Sequence, residues 1–320
     1  MRHINDRKIN SIEPARLLVG GVPLGMSEGL GRAEAVLGSV PVGGKHPVVV
    51  MGALNVSPES FYGGSVHRDA AALLRAASAM VEAGAAILDV GARSTAPYLD
   101  TAVDDDEERA RLTRAVELLA TKLGVPVSAD TARPAAARAA LDAGATIVND
   151  VTALRSAELA RLVAEHGASL IVMASPAGPA STDHPRAPVA AIHAILADAL
   201  TRARAAAIPD MRIVLDPGIG FFRCEPIAWD AWDASVLAQL DALADLGRPL
   251  CVGVSRKSFL GAITGHLDPA ERLPASLAAT AVAVLHGASV IRTHDVAQTV
   301  DAVRVAARLG AARSGEGRRP

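Results

Sequence analysis

Along this chain the hydrophobic positions fall into one phrase that keeps returning. An alanine-rich stretch with helical character ends at a glycine, and a short apolar run follows that closes on polar residues. MVEAGAAILDVGARS, LATKLGVPVSADT, ALDAGATIVNDV, VAEHGASLIVMAS, LADLGRPLCVGVSRKS and VLHGASVIRTHDV all read this way. Their glycines, Gly84, Gly124, Gly144, Gly167, Gly247 and Gly287, stand where a helix needs a left-handed C-cap before the chain turns into a strand. The apolar runs are β-branched and non-alternating, as strands covered on both faces are. HPVVVMGALNV in front and MRIVLDPGIG after Pro209 bring the strands to eight, each with room for a helix behind it. The pattern predicts an α/β fold, a closed TIM (β/α)8 barrel over residues 47–310. An open doubly wound sheet is the alternative, disfavoured by even phrasing without a break in composition.

The remaining segments stand apart from this repeat. Residues 1–46 are an N-terminal extension, expected either as a short ribbon closing the barrel bottom or as a loose arm. Residues 311–320 read as a disordered tail. PAGPASTDHPRAP, between the fifth strand and its helix, is a long loop on the presumed ligand face.

In such a barrel the ligand site lies at the C-terminal ends of the strands. The polar or adaptable residues there are Asn55, Asp89, Asp130, Asn149, Asp150, Met173, Asp216, Ser255, Arg256, Lys257, Arg292, His294 and Asp295. Asp216 is the sharpest case. RIVLDPGIGFF ends an apolar run on a carboxylate, which costs free energy in a half-dry mouth unless it is paired. Capping of the following helix is the plain reading for any one strand-end aspartate. Several together, with Asn149, can read the donor and acceptor edge of a heterocycle such as a pterin or purine. Lys257 is a candidate for hydrogen-bonding that heterocycle. Arg292 can offer a bidentate fork to phosphate, or instead form a structural ion pair with Asp295 or a neighbouring carboxylate. Asn55 can ligate a hydrated Mg²⁺ accompanying a diphosphate, although one amide is a weak ligand.

Composition narrows the picture. A net charge of -2 leaves no electrostatic footprint for nucleic acid or an anionic membrane. No uncharged run reaches the ~18 residues of a membrane helix, and the polar stretch MRHINDRKIN lacks the apolar run expected of a signal peptide. Cys224 and Cys251 lack metal or CxxC spacing, so a soluble cytoplasmic protein with reduced thiols is expected. The aromatics, Phe61, Tyr62, Tyr98, Phe221, Phe222, Trp229, Trp232 and Phe259, all fall in or just beyond the connections after strands one, two, six and seven. They either shield the barrel mouth or hold a flat aromatic ligand, and the polar strand ends favour the ligand.

LNVSPESF, LDVGARST, ADT, IVNDV, LDPGIGF, GVSRKSF and IRTHDV, in this order, resemble the dihydropteroate synthase family from about Val48 to Ala307. The resemblance implies a pterin pocket of Asp130, Asn149, Asp216 and Lys257, with Met173 and Phe221 near the ring. It implies a diphosphate site of Asn55, Arg292 and His294 with Mg²⁺, and a second substrate beside Ser94, Thr95, Ser255 and Arg256. Lys257, Arg292 and His294 would carry catalysis. The implied reaction joins (7,8-dihydropterin-6-yl)methyl diphosphate to an arylamine, releasing diphosphate, in a protein that is often a homodimer.

Some loops depart from the family. RSTAPY replaces ESTRPG, putting Ala96 where the family has arginine and Arg93 where it has an acid. MASPAG replaces MHMRG at strand five, putting Ala174 where the family has histidine, and Glu59 stands where aspartate is usual. Three readings stay open: 4-aminobenzoate and folate biosynthesis, a bulkier ribofuranosylaminobenzene phosphate as in tetrahydromethanopterin biosynthesis, or pterin binding without synthesis. The cationic strand ends argue for retained arylamine chemistry, and the loop changes lean toward the modified amine. Pterin-dependent methyltransferases share the pocket but have no use for a diphosphate site.

Overall fold

Each apolar run becomes a strand. The structure, a computed structural model, describes residues 33–56, 66–92, 104–176, 187–223 and 227–313. A two-stranded antiparallel ribbon, β1 (Glu34–Leu37) and β2 (Val40–Gly43), comes first. The barrel strands follow: β3 (Val49–Asn55), β4 (Ile87–Gly91), β5 (Val127–Asp130), β6 (Ile147–Asp150), β7 (Ser169–Met173), β8 (Ile213–Asp216), β9 (Leu250–Val252) and β10 (Ala288–Thr293). They close in the order β10-β3-β4-β5-β6-β7-β8-β9, with parallel pairing throughout. The helices are α1 (Val66–Glu82), α2 (Asp105–Lys122), α3 (Pro134–Asp142), α4 (Ala157–Glu165), α5 (Pro188–Ala205), α6 (Trp229–Ala238), α7 (Ser258–Thr264), α8 (Leu273–Leu285) and α9 (Val296–Arg313).

The pleat divides the strand residues between two cores. Val50, Leu88, Val148, Leu170, Leu215, Val252 and Ile291 face outward into one core with the helices. Their neighbours Met51, Ile87, Ile147, Ile171, Val214, Cys251 and Val290 fill the barrel interior. Ala35, Leu37 and Val42 of the ribbon join this interior cluster and are fully or almost fully buried. Ser169 at the start of β7 ties the ribbon in place: its Oγ donates to the Val36 carbonyl at 2.7 Å and accepts from Gly38 N–H at 3.0 Å. Residues 34–43 of the expected extension therefore plug the N-terminal end of the barrel, which leaves the C-terminal end for chemistry.

Two expectations need correction. Gly124 does not adopt the left-handed conformation of Gly84, Gly144, Gly167, Gly247 and Gly287, because α2 ends through an extended Leu123 instead. Helix α9 runs through Ala311 and Ala312 to Arg313, past the expected start of the tail. Alanine favours helix more than any other residue, so the run simply continues. Residues 1–32, much of the first two connections and most of PAGPASTDHPRAP lie outside the described residues. Among the described residues no helix is long and apolar enough to cross a membrane.

Candidate active site

Two residues above the apolar interior, the same strands turn polar. Ile87 gives way to Asp89, Ile147 to Asn149, Val214 to Asp216 and Val290 to Arg292. Strand register sets Asn55, Gly91, Asp130 and Asn149 side by side across β3 to β6, and pairs Met173 with Asp216 across β7 and β8. The expected pocket residues Asp130, Asn149, Asp216 and Met173 are all buried and share this upper layer.

Arg292 links them. Its Nε donates to Asp89 Oδ2 at 2.6 Å and its Nη2 to Asp130 Oδ2 at 2.9 Å. Asn149 Nδ2 also donates to Asp89 Oδ2, at 3.2 Å, which orients the amide with its oxygen free. Asp89 Oδ1 and Asp130 Oδ1 are buried and have no hydrogen-bond partner among the described residues. Orphaned buried oxygens of this kind are rare and mark a place for a ligand donor. Burial, then the neighbouring Asp89, push the Asp130 carboxyl above the ordinary range against the pull of Arg292. For Arg292, burial opposes the charge, but Asp89 and Asp130 outweigh it and hold the guanidinium protonated.

Asp216 is partly satisfied at home. Its Oδ1 accepts from Gly218 N–H at 2.7 Å, while Oδ2 has no hydrogen bond among the described residues. The turn that allows this needs Gly218 at φ +72°, where a Cβ would run into the Ala174 carbonyl oxygen. Burial raises Asp216 to about 6, opposed by the Gly218 N–H and by Lys257. At neutral pH it is a carboxylate with one oxygen to offer.

Lys257, at the N-cap of α7, has no side-chain hydrogen bond or ion pair among the described residues. Its Nζ sits 4.4 Å from the Phe221 ring centroid, a cation–π contact that holds a half-buried ammonium. Burial, then Arg292, lower it to about 8, so most molecules keep the charge at pH 7. Gly220 touches the same chain: a Cβ there would lie 2.9 Å from Lys257 Cδ. Gly220 N–H in turn donates at 2.8 Å to Asp233 of α6, a fully buried carboxylate raised to about 6 by its burial. The path Asp233–Gly220–Lys257 fixes the lysine. Nothing in the sequence flagged Asp233, since AWDASVL reads as an ordinary helix face.

Several expectations change here. Arg292 makes the neighbouring-carboxylate ion pairs, committing Nε and Nη2 to Asp89 and Asp130, while its Nη1 has no hydrogen bond among the described residues. Asp295 pairs not with Arg292 but with Arg256, through bonds of 2.9 and 2.5 Å, which occupies the guanidinium expected beside a second substrate. Loss of water, then Arg292, hold the His294 imidazole below its ordinary value, so it is neutral and not cationic at pH 7. Ser255 Oγ lies 3.2 Å from His294 Nδ1. That pair lacks the carboxylate a hydrolytic triad needs, since the adjacent Asp295 is engaged by Arg256. Asp150 caps its own turn, accepting from Leu154 N–H and Thr152 Oγ1. Among the aromatics of the described residues, Phe221 meets Lys257, whereas Phe222 stacks on Trp232 at 5.1 Å and Phe259 is buried in the core. Ser94, Thr95, Phe61, Tyr62, Tyr98 and Cys224 lie outside the described residues.

No group of three or more His, Cys, Asp or Glu among the described residues could hold a metal ion. Asn55 offers one neutral oxygen at an exposed strand end, so these residues do not fit a resident Mg²⁺.

A family model described as "Pterin binding enzyme" matches residues 51–294. The dihydropteroate synthase of Escherichia coli (strain K12) is 34% identical over 265 residues, covering 81% of this chain and 90% of that protein. This chain belongs to the dihydropteroate synthase family. The Mycobacterium leprae dihydropteroate synthase is 39% identical over 269 residues, covering 81% of this chain and 92% of its own length. A probable bifunctional folylpolyglutamate synthase/dihydropteroate synthase of Haloferax volcanii is 41% identical over 260 residues, and the chain spans 30% of its length. Among solved structures, a Xanthomonas albilineans dihydropteroate synthase with 4-aminobenzoic acid aligns with a TM-score of 0.77 and 35% identity, covering 88% of this chain and 99% of that one. A second, in complex with 7,8-dihydropteroate, aligns with a TM-score of 0.73 and 36% identity, covering 83% and 94%.

Proposed function

We propose that this protein is a dihydropteroate synthase that joins (7,8-dihydropterin-6-yl)methyl diphosphate to 4-aminobenzoate. The carrying observation is the set of partnerless carboxylate oxygens on Asp89, Asp130 and Asp216, converging with Asn149 and Lys257 at one barrel mouth. A pterin presents amino and ring N–H donors on one edge and a carbonyl and ring nitrogens on others. The carboxylates and the Asn149 oxygen accept from that edge, and the Lys257 ammonium donates to a ring acceptor.

The chemistry is displacement at the exocyclic methylene. The C–O bond breaks with its electron pair leaving on diphosphate, and positive charge spreads into the electron-rich ring. Carboxylates fixed at the ring's edge stabilise that charge without reorganising, and the rigid strand ends hold the methylene in place for the amine. The arylamine nitrogen then forms the C–N bond and sheds a proton to solvent or to the departing diphosphate. We assign Arg292 to positioning Asp89 and Asp130. His294 and Ser255 form a neutral hydrogen-bonding pair at the rim, on the side where diphosphate would leave.

The proteins with bound ligands just described carry 4-aminobenzoic acid and 7,8-dihydropteroate, which supports 4-aminobenzoate as the amine. The test is diphosphate release from the pterin diphosphate with each amine in turn. Release matched one-to-one by dihydropteroate with 4-aminobenzoate is the expected result. Turnover with the ribofuranosyl amine alone would replace the second substrate, and tight pterin binding without turnover would favour a binding protein.

A further inference from the structure

We propose that the groove between α4 and α5, on the outer wall of the barrel, is a second binding site for a small anion with an apolar body, such as an aryl carboxylate. This reading is independent of the reaction assigned above. The groove is a cavity of about 540 Å³, in the size range of small-molecule sites, where a bare inorganic ion would leave most of it empty. Ala157, Ala205 and Ala206 contribute apolar wall, while Arg155, Arg161 and Arg202 contribute charge, and no acidic side chain among the described residues lines it.

Ion pairs compensate the three guanidinium groups only in part, with Arg155 acting on the nearby Asp150 carboxylate without touching it. Arg202 Nη2 donates to the Ala153 carbonyl at 2.8 Å, but its buried Nε has no partner among the described residues. Arg155 Nη2 donates to the Ser175 carbonyl at 2.6 Å. Neither arginine makes an ion pair among the described residues, and Arg161 has only a long, solvent-exposed contact of 3.5 Å with Glu165. Three like charges around one cavity favour an anion placed among them. The N-terminus of α4 adds positive potential on one wall, and the opposite sign at the α5 C-terminus is offset by Arg202 itself. Lysine-like flexibility is absent: two of the forks are already oriented by backbone carbonyls, which suits a carboxylate.

The groove also touches the pterin layer through two short paths. Arg202 holds the turn Ala153–Leu154, whose residues sit at φ 57° and 53° and are fastened by Asp150, the neighbour of Asn149. Arg155 holds Ser175, two residues beyond Met173. An anion in the groove would therefore bear on two strand ends of the site.

The test is a calorimetric titration of the full chain with 2-naphthoate and, separately, with inorganic phosphate. Arg161→Glu reverses a charge at an exposed position, Ala205→Trp fills the groove from an exposed position, and Lys257→Met alters the barrel mouth. Circular dichroism confirms that each variant is folded. We expect saturable naphthoate binding that weakens roughly tenfold or more in Arg161→Glu and Ala205→Trp, persists in Lys257→Met, and exceeds phosphate binding by a similar factor. Naphthoate binding that ignores both groove variants, or vanishes in Lys257→Met, overturns the site. Phosphate binding as tightly as naphthoate overturns the ligand class.

Discussion

The barrel interior has two layers, one pleat apart, and they obey opposite rules. In the lower layer Leu37, Met51, Ile87, Ile147, Val214 and Val290 pack as a dry plug with every side chain buried. In the upper layer the next inward residues are Asp89, Asn149 and Asp216, buried but charged or polar and incompletely hydrogen-bonded, with Arg292 partly buried beside them. Lower-layer burial stabilises the fold. Upper-layer burial works against it, and the deficit is what a bound heterocycle would offset. A step of two residues along one strand separates the part of the sequence that folds the protein from the part that gives it chemistry.

Moving the boundary down one pleat should have the largest effect. Val214→Asp places a carboxylate where no cation waits, and an uncompensated buried charge costs several kcal/mol of a total near 5–15 kcal/mol. We expect no cooperatively melting protein by circular dichroism, whereas Asp216, two residues on, is tolerated in the native chain. Removing the counter-charge comes next. Arg292→Met leaves Asp89 and Asp130 without their cation, at a cost of about 3–5 kcal/mol. Asp130, already above its ordinary value, rises further, and a raised carboxyl contributes stability at low pH that is lost as pH rises. The melting deficit of Arg292→Met should therefore be greatest near pH 8 and shrink toward pH 5. An equal deficit at both would mean that Arg292 acts by packing and not by charge.

Asp216→Asn should have the opposite sign. The native carboxyl moves from 3.8 to about 6 on folding, so its stabilising contribution is complete below 3.8 and lost as pH climbs through 6. Roughly two units correspond to about 3 kcal/mol at most. We expect the asparagine variant to melt a few degrees higher than wild type at pH 8, with the gap closing toward pH 4. Smallest should be Gly220→Ala, which meets Lys257 and adopts φ +90°. A loss of about tenfold in turnover with the fold intact, at roughly 1.4 kcal/mol, would place Gly220 in the lysine's support.

The lower layer and the barrel itself were legible because they rest on local pattern: eight apolar runs, helical stretches between them and glycines at most of the joints. Asp130, Asn149, Asp216 and Lys257 were legible as polar residues closing such runs. Their partners were not. Arg292 and Asp89 lie 203 positions apart, and only barrel closure brings them together. Neighbourhood in sequence suggested Arg292 with Asp295, but Arg292 points into the barrel from β10, whereas Asp295 lies beyond the end of that strand and meets Arg256 from the preceding strand end. Asp233 was invisible for another reason: a buried aspartate on a helix is recognisable only once the loop it fastens is seen.

The most direct test is an equilibrium titration of the wild-type protein, Asp130→Asn and Asp216→Asn with (7,8-dihydropterin-6-yl)methyl diphosphate at pH 8. With all three proteins folded, each substitution should weaken binding by roughly 100-fold, the loss expected when a charged acceptor is replaced and a buried ligand donor is left poorly matched. Wild-type affinity in both variants would contradict the claim that the upper layer reads a pterin.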